Sequence, residues 1–182
     1  MKVLVVYYSE TGNTEKVARA IHQEVSEKTE AHLKKLHEIT PEILNDYDLV
    51  FLGSPCHSTD LAEPVKRFLD AVHKSPRLKL AGFFTHSVPS PESDMGNQKE
   101  FETWTGKCIA SFQKACKEKG INFKGWYSCQ GVPSLPIQQF IRNYIVKSDD
   151  LWDEYIREAA KHPSSEDLSK AREFARKVLS NS

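Results

Sequence analysis

The densest group of side chains able to do chemistry is Ser9-Glu10-Thr11-Gly12-Asn13-Thr14, where three hydroxyls and a glycine follow the apolar run of residues 3–8. In a turn between a strand and a helix, such residues converge backbone N–H groups and hydroxyls on one point, where the helix dipole favours an anion. Gly12 would let the backbone approach that anion closely. No Walker lysine follows the glycine and there is no Gly-x-Gly-x-x-Gly, so the usual signatures for nucleoside triphosphates and dinucleotides are missing. Hydroxyls and amides without a cation suit a phosphate monoester held by directed hydrogen bonds. The plainer alternative is a helix start that uses Ser, Thr, Asn and Gly only as caps. Taken alone, the loop supports the two readings about equally.

Other chemistries find little support. Cys56, Cys108, Cys116 and Cys129 form no Cys-x-x-Cys pair and no ligand cluster, so they read as buried free thiols. A cysteine-dependent phosphatase would need an arginine six residues after its cysteine, and from Cys56 that position is Ala62. A receiver domain would need paired acids after the first strand and an aspartate after the third, where Ser9-Glu10 and Ser54-Pro55 stand. A serine-hydrolase elbow fails because Ser9 has Tyr7 two residues before it and Thr11 two after. The closest of seven histidines, His32 and His37, would point to opposite faces of a strand. No metal site is expected.

The elements that would position the loop follow from periodicity. Residues 3–8, 49–53 and 80–85 are near-continuous apolar runs, as in central strands buried on both faces. Residues 31–36 and 123–129, interrupted by charge or glycine, suit edge strands. Between them, Val17, Ala18, Ile21 and Val25, then Val65, Phe68, Leu69 and Val72, then Phe101, Trp104, Cys108, Phe112 and Cys116 repeat at helical spacing. Ser164, with Asp167 three residues on, opens a closing helix. The pattern predicts a doubly wound α/β domain, five parallel strands in the order 2-1-3-4-5, with ligands beyond their carboxyl ends at the switch point between strands one and three.

At 182 residues and 39% hydrophobic content, the chain can bury one core and needs no second. A single domain over residues 1–182 is expected, with an insertion at about 131–162 before the closing helix. Lys plus Arg and Asp plus Glu both number 25, so no net field draws in nucleic acid or an acidic membrane surface. The opening run is too short for a signal peptide, and no stretch approaches the length of about 20 apolar residues that spans a bilayer. A cytoplasmic protein without membrane attachment is expected.

Tyr8-Ser9-Glu10-Thr11-Gly12-Asn13-Thr14 resembles the Ser/Thr-x-Thr-Gly-Asn-Thr phosphate loop of the flavodoxin family, which there holds the 5′-phosphate of FMN. A second block, Gly53-Ser54-Pro55-Cys56-His57 followed by Pro64-Val65-Lys66-Arg67-Phe68-Leu69-Asp70, is similar to that family's third-strand loop and the helix after it. The resemblance covers most of the chain outside residues 131–162 and implies a flavodoxin-like, three-layer fold. It implies non-covalent FMN, with Ser9, Glu10, Thr11, Gly12, Asn13 and Thr14 around the phosphate. Ser54, Pro55, Cys56, His57 and Ser58 would then line one side of the isoalloxazine, with His86 and Ser87 approaching from the next loop.

Three departures qualify the resemblance. Family carriers of the small acidic type stack aromatic residues on the ring, where this loop offers His57, whose charge could vary near neutral pH. They commonly have a glycine whose peptide flips to bond flavin N5, where Ser58 and Thr59 stand; a flip that needs positive φ is costlier there, so strong semiquinone stabilisation is not expected. The acidic surplus such carriers show to basic partners is missing. The resemblance implies an FMN-binding electron-transfer protein that serves a protein redox partner or a small-molecule acceptor. The rival is an FMN-dependent oxidoreductase passing hydride from NAD(P)H to a quinone-type acceptor; a cofactor-free scaffold is third. Phe140, Ile141, Tyr144, Ile145, Trp152 and Tyr155, in residues 131–162, suit core or a homodimer contact, or more sharply a lid beside the flavin.

Overall fold

A computed structural model describes residues 1–93 and 95–182. In chain order its elements are β1 (Lys2–Tyr7), α1 (Asn13–Ser26), β2 (Glu30–Lys35), β3 (Leu49–His57), β4 (Asp60–Leu61), α2 (Glu63–Ala71), β5 (Lys79–His86), α3 (Gln98–Lys119), β6 (Asn122–Gln130), α4 (Leu135–Tyr144), α5 (Asp149–Ala159) and α6 (Ser165–Ser180). The sheet runs β2-β1-β3-β5-β6 with every neighbouring pair parallel. Setting aside the two-residue β4, which folds back antiparallel on the end of β3, this is the order expected from the sequence.

The continuous apolar runs arise because both faces of the sheet are covered. Val3, Val5, Phe51 and Phe83 pack with Val17, Ile21, Ala171 and Ala175 of α1 and α6. Leu4, Val6, Leu52 and Phe84, one position out of phase, pack with Val65, Leu69, Cys108 and Phe112 of α2 and α3. This alternation gives the three layers. The edge strand β2 is polar and partly exposed, which discourages further pairing. At α6 the sequence signal is realised: the Ser164 hydroxyl accepts from the Asp167 amide at 3.2 Å and the Asp167 carboxylate accepts from the Ser164 amide at 2.7 Å.

Two boundaries differ from expectation. The strand expected to stop at Gly53 continues to His57, because Ser54 and Pro55 still pair with Phe84 and Thr85. The second strand ends at Lys35, whose amide donates to Glu38 Oε2 at 2.9 Å. His37 therefore sits in a short 3₁₀ turn (Leu36–Glu38) and does not oppose His32 across a strand. Among the described residues no helix is long and apolar enough to cross a membrane.

Candidate functional site

The carboxyl ends of β1, β3, β5 and β6 open into a cavity of about 1050 Å³. Ser9, Glu10, Thr11, Asn13 and Thr14 line it from one side, and Pro55, Cys56, His57, Ser58, His86 and Ser87 from the others. The topology accounts for the convergence. The chain leaves β1 through α1 on one face and leaves β3 through α2 on the other, so a crevice opens between their carboxyl ends.

Gly12 holds the turn between β1 and α1 at φ +88°, a left-handed conformation that glycine adopts without a Cβ clash. Its N–H donates to Ser9 Oγ at 3.1 Å. Asn13 Nδ2 donates to Thr11 Oγ1 at 3.1 Å and to the Val132 carbonyl at 2.8 Å. That long-range bond needs Gly131, since a Cβ there would lie 2.8 Å from the Asn13 side chain. The buried Thr14 hydroxyl pairs with that of Thr85 at 2.8 Å, which fixes the loop to the end of β5. Ser9 and Thr11 thus each accept a bond from the protein and keep a hydroxyl proton to donate. Among the described residues no side chain caps the first turn of α1, so its amides are left to an anion or water. Gly12 shapes this loop without lining the cavity.

Across the cavity, Cys56 pairs with Leu61 and His57 with Asp60 in a tight hairpin whose tip is Ser58 and Thr59. Both tip residues have positive φ, 49° and 72°. Such a two-residue turn suits Asn-Gly and is costly for a β-branched threonine. The hairpin is held by Asp60, whose Oδ1 accepts from the Leu61 amide at 2.7 Å and the Ser111 hydroxyl at 2.6 Å. Ser54 braces it from beneath: fully buried, its hydroxyl accepts from Ala62 N at 2.9 Å and donates to the Pro55 carbonyl at 2.8 Å. Ser54 therefore does not face the cavity. Glu10 accepts from the Tyr8 hydroxyl at 2.7 Å, which raises the phenol pKa. Its other oxygen lies 3.6 Å from His57 Nε2, so the two loops meet at that half-exposed pair.

His86 is buried, and burial lowers its pKa to about 4. It is neutral at pH 7. Its Nδ1–H donates to the Val88 carbonyl at 3.0 Å, leaving Nε2 as an acceptor, and its ring stands edge-on to Phe101 with centroids 5.3 Å apart.

Several contributors escaped the sequence reading. Trp104, expected in the α3 core, is 38% exposed and lines the cavity. The Thr85 hydroxyl and the Val132 carbonyl complete the loop. Residues 131–162, marked by the sequence as an insertion, carry helices α4 and α5, a roof with its own core of Ile141, Tyr155 and Ala159. The Tyr155 hydroxyl donates to the Ser87 carbonyl at 2.8 Å, tying the roof to the loop after β5. Ile137, Phe140 and Ile145 of this segment line the cavity and remain partly exposed.

Comparison with known proteins gives consistent findings. The family model described as a flavodoxin domain matches residues 4–176. An uncharacterised protein of Methanocaldococcus jannaschii is 25% identical over 182 residues, 100% of both chains. The flavodoxin-like domain-containing protein BilS of Clostridioides difficile is 27% identical over 188 residues, covering 98% of this chain and 97% of its own. Among solved structures, oxidised flavodoxin 2 of Bacillus cereus superposes with a TM-score of 0.65 over 100% of both chains at 19% identity.

Proposed function

This chain belongs to the flavodoxin-domain family, and we propose that it binds FMN non-covalently in the cavity and uses it to transfer electrons. The observation that carries the reading is the Ser9–Thr14 turn: an uncapped helix start, Gly12 in the left-handed region, and two hydroxyls with protons still to donate. A phosphate dianion needs that donor set, so the residues present fit the phosphate end of FMN. Thr14 and Asn13 position the turn through Thr85 and Val132. Pro55, Cys56, His57 and Ser58 would line one side of the ring and His86 and Ser87 another. The neutral imidazole of His86 would offer an acceptor to a ring N–H. When bound, the flavin supplies one- or two-electron transfer, while the side chains set its environment.

A specific feature favours a second reading, an FMN-dependent oxidoreductase with an NAD(P)H donor and a quinone-type acceptor. The cavity extends past the two loops to the apolar side chains of α4 and α5. Its volume lies just above the range of about 300–1,000 Å³ usual for one small ligand. In this reading residues 131–162 are a lid on one domain spanning residues 1–182. Partners are then a redox protein or a small acceptor, with dimerisation through 131–162 as a further element. The proposal places the protein in the cytoplasm, in keeping with four free cysteines.

Titrating the apoprotein with FMN, followed by loss of flavin fluorescence, tests the assignment: saturable quenching supports it and no quenching rejects it in favour of a scaffold. Anaerobic mixing of the loaded protein with NADH or NADPH then divides the two readings. Rapid bleaching means an oxidoreductase; bleaching only by a ferredoxin-type donor means a carrier.

A further inference from the structure

Away from the phosphate turn, the cavity wall brings two thiols together. Cys56, near the end of β3, is half-buried and lines the cavity, whereas Cys108, on α3, is fully buried. Cys56 Sγ donates to the Trp104 carbonyl at 3.4 Å. That carbonyl is one helical turn before Cys108, so the Cys56 sulfur rests on the turn that carries Cys108. Cys108 Sγ contacts the Thr59 carbonyl, at the hairpin tip that follows Cys56, at 3.9 Å. The Cys56 side chain, ahead of burial, raises the Cys108 pKa, so that thiol keeps its proton. Burial alone holds the Cys116 thiol up, to about 12, and is the main cause of the same rise at Cys129; neither of those residues lines the cavity.

We propose that Cys56 and Cys108 form a reversible thiol–disulfide pair, oxidised by a low-molecular-weight disulfide and reduced by a dithiol. The more accessible member, Cys56, reacts first. The Cys56 sulfur loses its proton and attacks one sulfur of the small disulfide, whose S–S bond breaks and expels a thiolate that takes up that proton. The Cys108 sulfur, one helical turn from the Trp104 carbonyl on which Cys56 rests, then attacks the Cys56 sulfur of the mixed disulfide. The second small thiolate leaves and takes up the Cys108 proton. Two protein thiols and one small disulfide thus become one protein disulfide and two small thiols, a two-electron exchange. The new bond fastens the strained hairpin and the cavity wall to α3, which gives the site a redox-dependent rigidity. The inference goes beyond the electron-transfer reading and needs no bound group.

The test equilibrates the full-length protein with oxidised glutathione, quenches with acid, alkylates free thiols and maps the cysteine peptides by mass spectrometry. The expected species is about 2 Da lighter than the reduced chain, with the Cys56 and Cys108 peptides joined, and reverts with dithiothreitol. Cys116→Ser should behave as wild type, and Cys108→Ser should stop at a glutathione adduct on Cys56. Four alkylatable thiols in the wild type, a persistent glutathione adduct on wild-type Cys56, or a link from Cys56 to any other cysteine would each overturn the pairing. The wild-type map decides the matter even if a variant fails to fold.

Discussion

Replacing Thr59 by glycine should stabilise this protein, against the usual direction for a glycine introduced into a helix or strand. Thr59 is held at φ 72° at the tip between β3 and β4, next to Ser58 at φ 49°. An L-residue in the left-handed region costs about 1–2 kcal/mol. Glycine removes that strain but gives up about 0.5–1 kcal/mol of extra chain entropy on folding. The difference favours Thr59→Gly by about 0.5–1 kcal/mol, or a rise of about 2–4 °C in Tm per kcal/mol for a chain of this size. Thr59→Ala keeps the same φ requirement and should leave stability near wild type. Urea unfolding of the three proteins without ligand gives the comparison. If Thr59→Gly is no more stable than Thr59→Ala, the hairpin tip carries no such strain. A gain of the expected size would identify strain kept at the cavity wall against stability, the usual pattern at a functional site.

Two further perturbations probe the walls of the site. His86 titrates at about 4 when folded against an ordinary value of 6.5, so the unfolded chain takes up the proton first and stability falls as pH drops through 6.5 toward 4. At about 1.36 kcal/mol per pH unit the loss from this residue approaches about 3 kcal/mol. Urea melts from pH 7 to pH 4 should show His86→Asn losing correspondingly less stability than wild type, and parallel losses would contradict the burial argument. Gly131→Ala places a methyl 2.8 Å from the Asn13 side chain, so the Asn13 to Val132 bond should break. Weaker FMN binding, together with an apoprotein Tm lowered by about 2–4 °C for the loss of a bond worth about 1 kcal/mol, is the expected result of paired titration and thermal scans.

The sheet was legible because its three central strands are buried on both faces, and residues 3–8, 49–53 and 80–85 record that directly. The Ser164 and Asp167 cap was legible for the opposite reason, being wholly local. The β3–β4 hairpin was not, since Ser58-Thr59 lacks the Asn or Gly that announces a tight turn, and tertiary contacts through Asp60 impose the geometry instead. Trp104 fits the helical repeat of α3, but its turn lies beside the cavity rather than over the core. The partners of the Ser9–Thr14 turn come from Thr85 and Val132, 71 and 119 residues from Thr14 and Asn13, and no local pattern could announce them. The roof of α4 and α5 was visible as apolar spacing, whereas its attachment through Tyr155 and Ser87 was not.

The claim that an uncapped helix start and a ring of hydroxyls hold a phosphate is tested most directly by comparing the affinities of FMN and riboflavin, which differ only in that group. FMN should bind the apoprotein far more tightly, and Thr11→Val with Thr14→Val should erase most of the difference while leaving riboflavin affinity unchanged. Equal affinities in the wild type, or a preference untouched by the double substitution, would contradict the account.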